Sequence, residues 1–231
     1  MSIVYINNQN ELDYQSKEAY KTLRSNILFC GSDIKVIGFT SCLPNEGKSS
    51  VAINLAESLA AQNLKVLFID ADLRKSVLLG RLKIDQKVNG LTLYLSGMLD
   101  ANDIIYRTNI VGLNIVFAGP VPPNPSELLG GDKFKELIEE LRDNFDYIII
   151  DTPPLGSVID SAVVARVCDG MVLVMEANSI NYKFAQNVKR QLDRTGCRIL
   201  GAVLNKVNMN SYGYYGKYYG KYYGKYHSKY C

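Results

Sequence analysis

Histidine is almost missing from this sequence: the single one, His227, lies in a repetitive stretch near the carboxyl terminus. Zinc-dependent hydrolysis and Ser-His-Asp chemistry are thereby excluded, and any reaction must run on carboxylates, lysine and backbone groups. Paired cysteines are missing too. Cys30, Cys42, Cys168, Cys197 and Cys231 are odd in number and show no paired spacing, which argues for reduced thiols in the cytosol and against a disulfide framework or a zinc site. No apolar run is long enough to cross a bilayer, and the stretch MSIVYINNQN has no basic segment followed by an apolar one. A strong charge bias is absent as well. The net charge is +3, but the last twenty-one residues hold four lysines and no acid. The body before them is close to neutral, which leaves no footprint for nucleic acid.

What is present suits one large α/β domain, the expected size for 231 residues. Residues 1–15 read as a flexible start. From Ser16 to Phe29 the spacing predicts an amphipathic helix, with Tyr20, Leu23 and Ile27 on one face and Glu18, Lys21 and Arg24 on another. Short apolar runs then follow at Lys35–Thr40, Lys65–Asp70, Leu113–Ala118, Tyr147–Asp151, Met171–Met175 and Ile199–Leu204. Runs of this kind suit strands covered on both faces. Helical patterns alternate with them: Ser49–Ala61, then Phe134, Leu137, Ile138 and Leu141, then Phe184, Val188 and Leu192, with Gly196 as a C-cap. The alternation predicts an α/β fold, a doubly wound, mainly parallel sheet with ligands at the carboxyl ends of its strands. Four prolines make Gly119–Leu129 a shaped loop leading into a helix. Residues 16–210 would form this domain. Residues 211–231 repeat Tyr-Tyr-Gly-Lys and hold nine of the sixteen tyrosines, a composition that predicts a disordered tail.

The run Ser41-Cys-Leu-Pro-Asn-Glu-Gly-Lys-Ser-Ser50 follows a predicted strand and opens a predicted helix, the setting of a P-loop. Gly47 lets backbone N–H groups turn toward phosphate oxygens, Lys48 brings charge to the β- and γ-phosphates, and the Ser49 hydroxyl suits Mg²⁺. Pro44, Asn45, Glu46 and Ser50 complete the nucleotide-binding stretch. The first glycine of the strict pattern is replaced by Cys42, and Asn45 stands where left-handed dihedrals are called for, which asparagine tolerates. Two more strands end in acids: Asp70 and Asp72 in FIDADLR, and Asp151 in YIIIDTPP. Carboxylates at strand ends are placed to face a nucleotide and its metal.

LPNEGKSS, LFIDADLR and YIIIDTPP resemble the Walker A, Walker A′ and Walker B motifs of the bacterial tyrosine kinases. These are cytoplasmic kinases of capsule and exopolysaccharide export, within the deviant-Walker ATPases that include the MinD and ParA types. Glu18, Lys21 and Arg24 are similar to the family's amino-terminal oligomerisation helix (residues 16–30), and residues 119–129 to one of its loops. Lys21 stands where that helix has arginine, and no proline follows soon after Arg74. The resemblance implies ATP and Mg²⁺, with Ser49, Asp72 and Asp151 holding the metal and Lys48 neutralising the transferred phosphoryl group. Asp70 would orient and deprotonate the acceptor tyrosine, with Asp72 as the alternative. Asn205 and Lys206 would contact the base, a plain turn being the other reading. The resemblance further implies autophosphorylation on Tyr212, Tyr214, Tyr215, Tyr218, Tyr219, Tyr222, Tyr223, Tyr226 and Tyr230. It implies a ring-shaped homo-oligomer, a separate membrane activator of the polysaccharide co-polymerase type acting through its cytoplasmic segment, and a phosphotyrosine phosphatase. The chain would be recruited to the inner face of the membrane by its activator. A MinD/ParA-like ATPase switch without kinase activity is the main alternative.

Overall fold

The structure, a computed structural model, describes residues 3–6 and 12–208. In chain order the strands are β1 (Ile3–Val4), β2 (Val36–Ser41), β3 (Val66–Asp70), β4 (Ile105–Thr108), β5 (Leu113–Val116), β6 (Tyr147–Asp151), β7 (Gly170–Glu176) and β8 (Ile199–Asn205). The helices are α1 (Tyr14–Leu28), α2 (Lys48–Ala60), α3 (Leu78–Arg81), α4 (Leu91–Leu95), α5 (Ala101–Ile104), α6 (Pro125–Gly130), α7 (Asp132–Arg142), α8 (Asp160–Val164) and α9 (Tyr182–Asp193). The strands form one sheet in the order β1-β4-β5-β3-β6-β2-β7-β8. Every pairing in it is parallel except β4 with β5.

The apolar runs are explained by burial on both faces. Val66 and Phe68 of β3 enter a cluster with Ile53, Leu55 and Leu59 of α2, while Leu67 and Ile69 enter one with Phe134, Leu137 and Ile138 of α7. In β6, Tyr147 and Ile149 go to the first side and Ile148 and Ile150 to the second. Successive side chains point to opposite faces, so a strand covered twice needs apolar residues at every position. The predicted helix faces hold too: Ile27 is buried, and Tyr20 and Leu23 pack against the first cluster.

Three expectations are corrected. Residues 3–6 are not loose: β1 pairs with β4, Val4 and Ile6 are buried, and the Ile6 N–H donates to Asn109 Oδ1 at 2.7 Å. Helix α1 begins at Tyr14 rather than Ser16, because the Asp13 side chain caps it by accepting from Ser16 N at 2.7 Å. And β4, of sequence IYRT, was not anticipated, since only its first two residues are buried. Within Gly119–Leu129 the helix starts at Pro125, where a missing N–H costs nothing. The tyrosine-rich segment 211–231 lies outside the described residues.

Helix α7 carries much of one face of the sheet through Phe134, which is fully buried. Phe134→Ala is expected to lower unfolding free energy by about 3–5 kcal/mol. Val111→Ala, at an exposed position, should stay within about 0.5 kcal/mol. Urea denaturation of the two variants checks the contrast.

Candidate active site

Strand β2 ends at Ser41 and α2 begins at Lys48, so the P-loop spans the turn between them. Asn45 (φ 67°) and Gly47 (φ 86°) both adopt the left-handed conformation. Gly47 is required twice over, since a Cβ there would lie 2.1 Å from Asn205 Nδ2. Cys42 has no left-handed backbone to serve. Its side chain packs with Leu155, Ala165 and Met171, which is why a cysteine replaces glycine without harm. Burial, with the nearby Glu46 charge, pushes its thiol up to about 12 and leaves it inert.

The loop is braced from behind. The buried Glu46 carboxylate accepts from Leu43 N at 2.7 Å and from Glu176 N at 3.3 Å. Those bonds take it out of the groups able to face phosphate, leaving its peptide N–H. Asn205 Nδ2 donates to Glu46 O at 2.9 Å, and Lys206 Nζ donates to Asn45 O and pairs with Glu176, each at 2.8 Å. Asn205 and Lys206 thus hold loop carbonyls, a role the residues alone did not disclose. Pro44 has no N–H to offer a phosphate and serves the loop's shape.

The acidic motifs meet this loop. Asp70 and Asp151 are register partners on β3 and β6, and both are buried, at 1% and 2% exposure. Lys48, 6% exposed, places Nζ 2.5 Å from Asp151 Oδ1 and 3.2 Å from Ser49 Oγ. Burial, and then the charge of Asp151, raise the Asp70 carboxyl to about 7, against a weaker opposing pull from Ser76 and Lys48. The Ser76 hydroxyl donates to Asp70 Oδ2, and Asp72 N donates to Asp70 Oδ1 at 3.1 Å. The Asp72 carboxylate accepts from Arg74 N at 3.3 Å and Lys75 N at 3.0 Å, capping the turn after β3. Among the described residues no three acids, cysteines or histidines converge as a ready metal cage.

A family profile described as an AAA domain matches residues 34–194. Tyrosine-protein kinase CpsD of Streptococcus agalactiae is 45% identical over 208 residues, covering 88% of this chain and 91% of that protein. The chain belongs to the bacterial tyrosine-protein kinase family. The solved kinase domain of Escherichia coli tyrosine kinase ETK superposes with a TM-score of 0.77 at 34% identity, covering 83% of this chain and 77% of that one. The septum site-determining protein MinD complexed with Mg-ADP, from Pyrococcus horikoshii, gives 0.64 at 28%, covering 78% and 71%. The P-loop fold binds nucleotide, the enzyme is a protein-tyrosine kinase, and the ATPase-switch alternative is not favoured.

This kinase also ties its Walker A′ turn to the second layer of the fold. Arg74 Nε and Nη2 donate to the two oxygens of Asp160 at 2.7 and 2.9 Å, and Ser126 Oγ donates to the same carboxylate at 2.7 Å. The A′ turn, α6 and α8 thus share one buried acid. The sequence offered no signal for it beyond an arginine in DADLR and a serine after a proline. On α1, the exposed Lys21 pairs with Glu18 at 2.6 Å, whereas Arg24 turns inward to Ser58 O on α2 at 2.8 Å. No helix among the described residues is long and apolar enough to cross a membrane.

Burial would raise the Asp160 carboxyl, but the bonds from Arg74 and Ser126 outweigh it and hold the group below its ordinary 3.8. A depressed carboxyl gives stability that is present above the unfolded value and lost as pH falls through the folded one. Asp160→Asn is therefore expected to cost about 2 kcal/mol at pH 7, with the difference from wild type shrinking below pH 3.8. Urea denaturation of both proteins at pH 7, 5 and 3.5 measures this.

Proposed function

We propose that this kinase transfers the γ-phosphoryl group of ATP to tyrosines of its own 211–231 segment, presented by a neighbouring copy. One observation carries the reading. The three motifs meet at the carboxyl edge of β2, β3 and β6, and the described chain leaves the sheet at that same edge, through Asn205 and Lys206 against the P-loop. The last described residues therefore lie beside the site, and the Gly-Lys spacers in the 211–231 sequence suit a segment that acts as an acceptor at high local concentration.

Phosphoryl transfer is governed by positioning and by neutralising charge on the moving group. Peptide N–H groups of Asn45–Ser50 and the start of α2 cradle the phosphates, and Lys48 exchanges its hold on Asp151 for the terminal phosphate. The donor set suits Mg²⁺. The Ser49 hydroxyl and the Asp151 carboxylate are hard oxygen ligands set about one ammonium, and two adjacent buried carboxylates have a single lysine between them. Ser49 and Asp151 would hold the ion, with Asp72 reaching it directly or through water. When bound, it neutralises charge on the phosphates. Asp70, buried at the edge where the three motifs meet, is the carboxylate left outside the proposed metal set. It orients the tyrosine hydroxyl and takes its proton.

Each phosphate adds about −1.5 to −2 charge, so two or three outweigh the four lysines of the segment. On this reading unmodified tails hold a ring of copies together and phosphorylation releases them, with the exposed Glu18–Lys21 pair of α1 at the contact. Family resemblance supports a role in capsule or exopolysaccharide synthesis, with a membrane activator recruiting the kinase and a phosphatase resetting it.

Purified kinase incubated with Mg²⁺-ATP, with and without an activating peptide, should gain phosphate on Tyr212–Tyr230 by mass spectrometry. Lys48→Met should abolish it, and Asp70→Asn should slow it by about 100-fold or more. ATP hydrolysis with no phosphotyrosine would overturn the reading.

A further inference from the structure

Helix α3 is a single turn that follows the A′ motif, and it is fixed at both ends. Leu78 is buried in the core shared with α2, and Ser76, just before it, donates to Asp70. Its last residue, Arg81, reaches across to α2, where Nη1 donates to Ser50 Oγ. Ser50 is the third residue of α2 and follows Lys48 and Ser49 in the P-loop.

The position is electrostatically odd for an arginine. The start of α2 is the positive end of its helix dipole, where a cation is disfavoured and an anion is welcome. Lys48 has Asp151 to offset this. Arg81 makes no ion pair among the described residues, and its hydrogen-bond partner is a neutral hydroxyl; the acid in its neighbourhood is Glu57, further along α2, whose charge acts with that of Arg81 on Tyr20. Its guanidinium carries five donors in a fork that matches phosphate. An exposed arginine with most of its donors unused by the described residues thus stands at the start of the helix that follows the phosphate loop, where an anion is favoured.

The direction of the two cations separates their targets. Lys48 and Ser49 turn toward Asp151, beside Asp70, where the phosphoryl group moves. Ser50 is one residue further along the helix, about 100° around it, and faces α3 instead. We propose that Arg81 is a further nucleotide-binding residue of this kinase, donating with Ser50 to oxygens of the inner phosphates, those kept on ADP. The proposal rests on the P-loop reading above. An interaction with inner phosphates is nearly the same before and during transfer, so it should set KM for ATP and leave kcat almost unchanged.

The test is calorimetric titration of the full chain with Mg²⁺ and either ADP or the non-hydrolysable analogue AMP-PCP, for wild type, Arg81→Ala, Arg81→Lys and Lys48→Met. Arg81→Ala should weaken both ligands by the same factor, about tenfold, and Arg81→Lys should recover part of it. Raising NaCl should weaken wild type more steeply than Arg81→Ala. Autophosphorylation by Arg81→Ala should show a raised KM for ATP at near-normal kcat, which a merely structural tie between α3 and α2 would not produce. Equal affinity of Arg81→Ala and wild type for both ligands would overturn the proposal, as would a loss confined to AMP-PCP. Lys48→Met should lose affinity for AMP-PCP, which keeps a terminal phosphate, more than for ADP, and the underlying reading is reported separately: if wild type binds neither nucleotide, the P-loop assignment fails whatever Arg81 does.

Discussion

One ammonium stands against two buried carboxylates at the centre of this molecule, and the rest of the site is arranged around that imbalance. Asp70 and Asp151 are neighbours because β3 and β6 pair in register, and Lys48 satisfies only the second of them. Asp70 is left with neutral partners, the Ser76 hydroxyl and the Asp72 N–H, and burial, then the charge of Asp151, raises its carboxyl against their pull. Taking ions out of water costs several kcal/mol each, and a cluster of this kind is a poor route to stability. A fold selected for stability alone would place apolar residues at those strand ends. The cluster instead keeps a deficit of positive charge in a dry place, which is what a site for phosphates with an accompanying cation needs.

The deficit is held in position by topology. In a parallel sheet all carboxyl ends lie on one edge, so Ser41, Asp70 and Asp151, distant in sequence, arrive together. From the far side, β7 and β8 brace the phosphate loop: Glu46 closes on Leu43 and Glu176, while Asn205 and Lys206 hold the carbonyls of Glu46 and Asn45. With its carbonyls engaged behind, the loop keeps its N–H groups for the ligand. The opposite wall is fixed by Asp160, which locks the A′ turn to α6 and α8. Phosphate loop and A′ turn are thus held by separate parts of the fold, and Lys48 ties the loop to the end of β6, between them, through Asp151.

How legible this was from sequence follows from the range of each interaction. The P-loop, the A′ and B acids and the six apolar strands are local patterns, and a residue such as Asn45 declares its left-handed backbone by its type alone. Cys42 in a glycine position was legible as a departure, but only packing shows why it is harmless. Arg74 and Asp160 are far apart in the chain, and nothing in either neighbourhood announces the other. β1 and β4 escaped because each has few buried residues and borrows its order from a partner strand. Glu46 looked like part of a phosphate-binding stretch, yet its carboxylate is structural. The shift at Asp70 needed the register of two strands, which composition does not carry.

The two cations of the site also divide its labour in a way that bears on how such a kinase would be controlled. Lys48 is compensated by Asp151 and sits where charge moves, so what it contributes is felt in the transition state. Arg81 makes no ion pair among the described residues and, on the proposal above, sits where charge stays. On the reading proposed above, the acceptor tyrosines are part of the assembly and are present at high local concentration whatever the conditions. Nucleotide is then the substrate that arrives from solution, and occupancy of the phosphate loop decides whether transfer begins. Interactions with the inner phosphates set that occupancy and act on ATP and ADP alike. A residue that strengthens them therefore tunes two things at once: the ATP level at which the kinase loads, and how firmly its product holds the site against the next turnover.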